Sequence, residues 1–197
     1  MSLHKRMYSV GAVVDVETTG FSPARDEIIE LCIVLFRSDN SGLYIIEDEY
    51  IGLREPSCVI HPAASRVNGI TIADVCGKDL DYKRVSSLID RAEFLVAHNA
   101  PFDRNFMACL FPGVREKRWY CSMAGINWRA KGCPSRRLQD LLHYHGINPG
   151  RAHRASDDVK ATLELLHYRQ KNGLTYLSEL LGDRACSDAM NSRLLEG

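Results

Sequence analysis

Apolar and polar positions follow two different periods along this chain. Residues 9–16 (SVGAVVDV) are apolar and β-branched, the pattern of a strand buried inside a sheet. Comparable runs predict strands near 8–17, 27–37, 43–53, 93–98 and 118–122. Apolar residues at helical spacing predict helices near 85–91, 101–111, 135–145 and 154–171, with a further one near 174–182. The first three strands can form a meander, and strand then alternates with helix. That order predicts a single α/β domain over residues 8–182: a mixed sheet of about five strands flanked by helices. Residues 52–81 are the least regular, and the turn signals His61-Pro62 and Asn68-Gly69 predict a loop there. It either overhangs a site or is an ordinary surface connection.

Three short segments carry the chemistry. In Asp15-Val16-Glu17-Thr18-Thr19-Gly20, strand alternation puts Asp15 and Glu17 on the face of Val13, with Val14 and Val16 opposite. Their α-carbons are then about 6–7 Å apart. Paired carboxylates at the end of a buried strand repel and lose hydration unless a cation compensates. A strand running out into solvent would explain them equally well. The second segment is His98-Asn99-Ala100-Pro101-Phe102-Asp103, after the apolar run 94–97 (FLVA). Asn99 or Ala100 caps a helix, Pro101 sits in its first turn, and Phe106, Leu110 and Phe111 form its apolar side. Asp103 lies in that first turn, where the helix dipole alone would favour an acid.

The third segment is His153-Arg154-Ala155-Ser156-Asp157-Asp158. Ala155, Val159, Thr162 and Leu166 recur at helical intervals, so Asp158 borders the buried stripe and Asp157 points further toward water. If helical, His153 would stand about 140° from Asp158, so both serve one site only if His153 lies in the preceding loop. A loop imidazole can accept a proton near neutral pH, although a lone loop histidine is usually plain polar surface.

These three motifs, in this order, resemble the DEDDh group of DnaQ-like 3′–5′ exonucleases, which have the ribonuclease H-like fold. The resemblance covers residues 9 to 171. It implies that Asp15, Glu17, Asp103 and Asp158 hold metal and that His153 is the general base. Thr18, Thr19 and Gly20 resemble the stretch that touches the terminal nucleotide. Phe21 stands where an apolar wedge meets its base, and Asn99 and Phe102 pack around that site. Arg154 occupies the position at which the sister subfamily carries Tyr, which excludes that subfamily. Lesser matches agree. Residues 67–71 (VNGIT) resemble a Gly-Ile-Thr segment of the family, and residues 136–142 (RRLQDLL) its short helix before the third motif. Cys121-Ser122 departs from the Asp-Thr that many relatives have there.

The implied reaction is hydrolysis of single-stranded nucleic acid from the 3′ end to nucleoside monophosphates, with two divalent ions about 3.5–4 Å apart. Carboxylate ligands suit Mg²⁺ or Mn²⁺, two per site. Asp15 would bridge both ions, Glu17 and Asp158 complete one site, and Asp103 serve the other. Single-stranded DNA is the expected substrate, because Asp-Val-Glu-Thr-Thr-Gly is most similar to the proofreading branch. Ribonuclease T-like or oligoribonuclease-like trimming of RNA 3′ ends is the alternative, and a small-molecule phosphodiesterase a more distant one. The intact acid set argues against a catalytically dead scaffold.

Composition adds limits. Lys+Arg and Asp+Glu are both 25, so the chain is no general polyanion binder. Local basic clusters exist at 115–118, 129–131 and 136–137, and at Arg151 with Arg154. The last flanks His153 and is the strongest candidate for holding backbone phosphate. Seven cysteines with no CxxC pair fit a reducing cytoplasm, with Cys32 and Cys109 read as core residues. No signal peptide or membrane-length apolar stretch is seen, so no membrane partner is expected. Residues 175–195 carry no convincing sliding-clamp peptide, which with a short C-terminal segment predicts an enzyme of repair or turnover without stable polymerase association. A homodimer is left open. Residues 1–7 and 183–197 are read as termini outside the domain, with Met1-Ser2-Leu3 and Glu196-Gly197 as additions from cloning.

Overall fold

In the computed structural model, which describes residues 8–39, 42–150 and 153–182, five strands make one sheet. They are β1 (Tyr8–Thr18), β2 (Ile28–Asp39), β3 (Tyr44–Leu53), β4 (Phe94–Ala97) and β5 (Arg118–Cys121), in the order β3-β2-β1-β4-β5. The meander expected from the sequence is β1–β2–β3, all antiparallel, while β4 joins β1 in parallel and β5 joins β4 in parallel. The termini 1–7 and 183–197, Arg151 and Cys186 lie outside the described residues.

Eight helices accompany the sheet among the described residues: α1 (Pro62–Asn68), α2 (Ile72–Val75), α3 (Tyr82–Arg91), α4 (Ala100–Leu110), α5 (Ser122–Gly125), α6 (Leu138–His145), α7 (Ala155–His167) and α8 (Tyr176–Leu181). Strand alternation sorts β1 onto two cores. Ala12, Val14 and Val16 pack with Leu88 of α3 and with Phe106 and Met107 of α4. Val13 faces the other way, with Cys32, Val34 and Phe36, onto Ala155, Val159, Leu163 and Leu166 of α7. The apolar stripe read from the sequence is therefore the stripe that docks α7.

Several elements differ from the expectation. The irregular stretch 52–81 contains α1 and α2, whose one or two turns are too short to show a period. Asn68-Gly69, read as a loop turn, ends α1: Gly69 has φ 73°, the left-handed conformation in which glycine costs least. The helix expected near 85–91 starts at Tyr82, because Asp81 caps it by accepting the Arg84 N–H at 2.9 Å. The helix expected over 154–171 stops at His167. Its continuation instead closes a small turn, with Gln170 N–H bonded to Leu174 O (2.8 Å) and a bridge between Arg169 and Thr175. Cys32 is buried as expected. Cys109 is not: it is exposed at the edge of α4, its thiol on the carbonyls of Pro23 and Asn105.

One ion pair pins α7 to the sheet. Glu30 on β2 is fully buried and directly opposite Glu17 in register. Its carboxylate takes Arg154 Nη2 at 2.6 Å, Arg154 Nε at 3.2 Å and the Ala155 N–H at 2.9 Å. A buried carboxylate stripped of such partners is costly. Arg154→Met should therefore destabilise the protein by about 3 kcal/mol in urea unfolding at neutral pH, the low end for a broken buried pair because the guanidinium is partly exposed. Glu30→Leu combined with Arg154→Met should recover most of that loss. A single variant as stable as the wild type would show that the pair does not hold α7.

Candidate active site

β1 delivers Asp15 and Glu17 to the C-terminal end of the sheet, on the α7 side. β4 stops pairing with β1 at Val13↔Val96, so the Val16 N–H beyond has no strand partner on that side. Asp103 takes it. The chain leaves β4, turns through His98 and the N-cap Asn99, and enters α4 with Pro101 in its first turn. That turn aims Asp103, only 2% exposed, at the backbone between Asp15 and Glu17, where its Oδ1 accepts the Val16 N–H at 3.2 Å.

Asp158 comes from the first turn of α7 and is 8% exposed, whereas Asp157 beside it is more open. Its Oδ1 accepts from Gln139 Nε2 and its Oδ2 from the His153 N–H, both at 3.1 Å. His153 lies in the loop before α7, exposed, with φ 60°. A left-handed backbone is uncommon outside glycine, though histidine adopts it more readily than most residues, and here it lets the amide reach Asp158. The potential ligand atoms of Glu17, His153 and Asp158 all lie within 4.8 Å of one another.

The electrostatics are those of crowded acid groups. Burial raises the Asp15 pKa well above the usual carboxylate range, and the charges of Asp103, Glu17, Asp158 and Glu30 add to it. Burial pushes Glu17 up to about 8, against a hydrogen bond from Asn68 that favours its charged form. Asp103 rises to about 7, again through burial, although backbone N–H groups oppose it. Asp158 is raised as well, chiefly by burial. Hard oxygen donors, crowded and short of positive charge, fit Mg²⁺ or Mn²⁺ better than they fit water alone.

The remaining candidates take different places. Thr18 Oγ1 donates to Gly20 O at 2.5 Å, and buried Thr19 bonds Asp26 and the Glu27 N–H, so both hydroxyls are used in shaping the turn. A Cβ at Gly20 would stand 2.5 Å from the Asp26 carboxylate, which would have to leave Thr19 Oγ1 and the Ser22 N–H to make room. Phe21 is 80% exposed on the rim of a cleft of about 510 Å³, across from His61 and Pro62. Asn99 is exposed, and Phe102 is half-buried against Phe106. Arg154, expected at phosphate, has its guanidinium on Glu30 instead. His98 is a structural residue: its ring bridges Ser122 Oγ (2.9 Å) and Arg136 O (2.8 Å), and burial lowers its pKa. Sequence reading missed Glu30, Asn68 and Gln139. Glu30 is an ordinary residue locally. Gln139, inside an expected helix ahead of the third motif, and Asn68, in the 67–71 segment, lay in stretches that carried a signal without a role for the residue itself.

Comparison with known proteins identifies the family. A family described as Exonuclease matches residues 12–166. The PolC-type DNA polymerase III of Thermotoga petrophila is 31% identical over 186 residues, covering 85% of this chain but only 13% of that protein. The DNA polymerase III subunit epsilon of Treponema pallidum is 31% identical over 172 residues, covering 81% of this chain and 78% of that one. Among solved structures, E. coli exonuclease I in complex with a dT13 oligonucleotide superposes with a TM-score of 0.66 over 81% of this chain and 40% of its own, at 23% identity. That likeness is one of fold, a ribonuclease H-like mixed sheet flanked by helices. With its sheet and most of its length so matched, the chain belongs to the DnaQ-like family of 3′–5′ exonucleases.

Proposed function

We propose that the protein removes nucleotides as monophosphates from the 3′ end of single-stranded nucleic acid, DNA in preference to RNA. The observation that carries this reading is the convergence of Asp15, Glu17, Asp103 and Asp158, from two strand positions and two helix N-termini, beside a loop histidine. DNA is favoured by the DNA polymerase relatives and by the oligonucleotide bound to E. coli exonuclease I. RNA trimming is the second reading, supported by the His98–Asp103 motif.

Asp15, Glu17, Asp103 and Asp158 would hold Mg²⁺ or Mn²⁺, two per site. Such ions supply Lewis-acid stabilisation of the phosphate and a more acidic attacking water. Phe21 and the cleft beside it receive the terminal base, while the Thr18–Gly20 turn supplies backbone around the terminal sugar. His153 accepts the proton of the water that attacks phosphorus. Its backbone N–H on Asp158 ties the position of the base to that of a ligand. Arg154 acts as a positioning residue through Glu30 and Ala155.

Degradation of matched 5′-labelled single-stranded DNA and RNA, with Mg²⁺, Mn²⁺ or EDTA, should give a metal-dependent ladder shortening from the 3′ end, faster on DNA. Asp15→Asn should lower turnover about a thousandfold or more while keeping the fold, since several kcal/mol of charge stabilisation are lost. Near-normal Mg²⁺-dependent activity in that variant would refute the assignment. His153→Ala should slow single-turnover cleavage by roughly 10²–10⁴-fold, with the Mn²⁺ activation midpoint unchanged. A large rise in that midpoint would instead make His153 a ligand, as its closeness to Glu17 and Asp158 allows.

Stability should depend on pH in a definite direction. Glu17 and Asp103 carry folded-state pKa values near 8 and 7, above ordinary carboxylates. Below about pH 6.5 the buried imidazoles of His98 and His167, whose pKa values burial lowers, work the other way. It is therefore between about pH 6.5 and 8 that the folded chain binds more protons than the unfolded one and stability falls as pH rises. In EDTA the Tm should drop from about pH 6.5 to pH 8, and Mn²⁺ should flatten that slope by replacing the protons. A metal-free Tm that rises over the same interval would contradict the crowded-acid description.

A further inference from the structure

At the end of α7 remote from the carboxylates lies a second cleft, of about 520 Å³, between the turn at Arg129–Lys131, the end of α6, the turn after α7 and the start of α8. α7 has 13 residues, so the two sites stand on the order of 20 Å apart. The chain carries no net charge, yet among the described residues the lining of this cleft holds Arg169, Lys171 and a Lys131 that Glu179 neutralises from behind, and no acidic residue. It also gathers the rings of Tyr144, His145, Tyr168 and Tyr176 from three separate segments.

The inner rings are fixed in place. His145 bonds Leu141 O and the Tyr176 hydroxyl through its two ring nitrogens, each at 2.7 Å, and Tyr176 packs on buried Trp128 with centroids 4.7 Å apart. Lys131 is held by Glu179 and Gln170 at 2.6 and 2.8 Å and shapes the wall. The outer rings are different. Tyr144 and Tyr168 flank His145 and are 52% and 39% exposed, and Lys171 is exposed at the rim. Helix-end packing explains Trp128, Tyr176 and His145. Tyr168 also stacks on Tyr176 (centroids 5.9 Å), Tyr144 Oη donates to Lys131 O at 3.3 Å and Arg169 Nη1 to Gly173 O at 2.8 Å. These contacts hold the two outer rings and Arg169 in place while leaving both tyrosines exposed to solvent.

We propose that this cleft binds the same single strand 5′-ward of the end being cut, with bases stacked on Tyr144 and Tyr168 and phosphates near Arg169 and Lys171. Aromatic faces next to cations bind single strands with little sequence preference, because every base presents a π-face. The identity of the strand rests on the exonuclease reading, but binding in the cleft does not require cleavage. The two sites together would make affinity depend on substrate length.

The test is fluorescence anisotropy in EDTA with labelled oligothymidylates of about four and about twenty nucleotides, which bracket the span of a small single-strand site. The wild type should bind the long strand about tenfold or more tighter than the short one, the equivalent of one stacked base. Tyr144→Ala with Tyr168→Ala should abolish that preference and leave Mn²⁺-dependent cleavage of the short strand unchanged. Tyr144→Phe with Tyr168→Phe should restore the preference, since it keeps the rings. Equal affinity for both lengths in the wild type, or an alanine pair that binds the long strand normally, overturns the proposal. So does a phenylalanine pair that behaves like the alanine pair. Length-dependent binding that the alanine pair removes, in a protein that cuts neither strand, would sustain the cleft and defeat the exonuclease reading. Normal cleavage with an alanine pair indistinguishable from wild type would do the reverse.

Discussion

The repulsion among Asp15, Glu17, Asp103 and Asp158 is the constraint around which the rest of the molecule is arranged. Each is wholly or partly withdrawn from water, and burial raises all four pKa values. A cluster like this opposes folding unless its charge is neutralised by protons or cations or shared with donors. The protein supplies mainly neutral donors: the Val16 N–H to Asp103, the His153 N–H and Gln139 to Asp158, and the Asn68 amide to Glu17. They fix where the oxygens point without cancelling their charge. The site is thereby left short of positive charge, which is the property a divalent ion requires.

Holding those acids together depends on docking α7 correctly. Its buried stripe sets the depth of the helix on the sheet, but apolar contact is not directional and leaves the helix some freedom to slide. The Arg154–Glu30 pair removes that freedom at the N-terminal end, one turn from Asp158 and next to His153. The nearby arginine is therefore withheld from the four clustered carboxylates and given to a fifth acid on the same face of the sheet. An arginine on Asp15 or Glu17 would relieve the repulsion and cancel the deficit of positive charge.

The two ends of α7 then divide the labour. Carboxylates collect at its N-terminus, where the helix dipole also tolerates negative charge. The other end meets an aromatic layer from α6, α8 and the turn between α7 and α8. That layer closes the third core around Trp128, Leu142 and Leu165, and its outer rings remain exposed.

Local periodicity settled much of this from the sequence alone. A two-residue period was enough to place Asp15 and Glu17 on the face of Val13, and a 3.6-residue period to set Asp158 against the buried stripe with Asp157 more open. The loop position of His153 followed from the further condition that it share a site with Asp158. The order of strands and helices likewise implied a meander followed by strand–helix alternation in a mixed sheet, and the structure realises it with β4 and β5 in parallel. What periodicity does not contain is the identity of partners far apart in the chain. Arg154 meets Glu30 across 124 positions, Asn68 reaches Glu17 from a helix too short to show a period, and the helix after Asp158 ends where Arg169 finds Thr175. Cys109 reads as apolar in its segment but lies on an exposed edge of α4, its thiol near the Pro23 carbonyl. The rings of the second cleft come from three separate segments and share no local pattern at all. Those pairings are chosen by sheet register and by the packing of helices on it, quantities that exist only once the chain has folded.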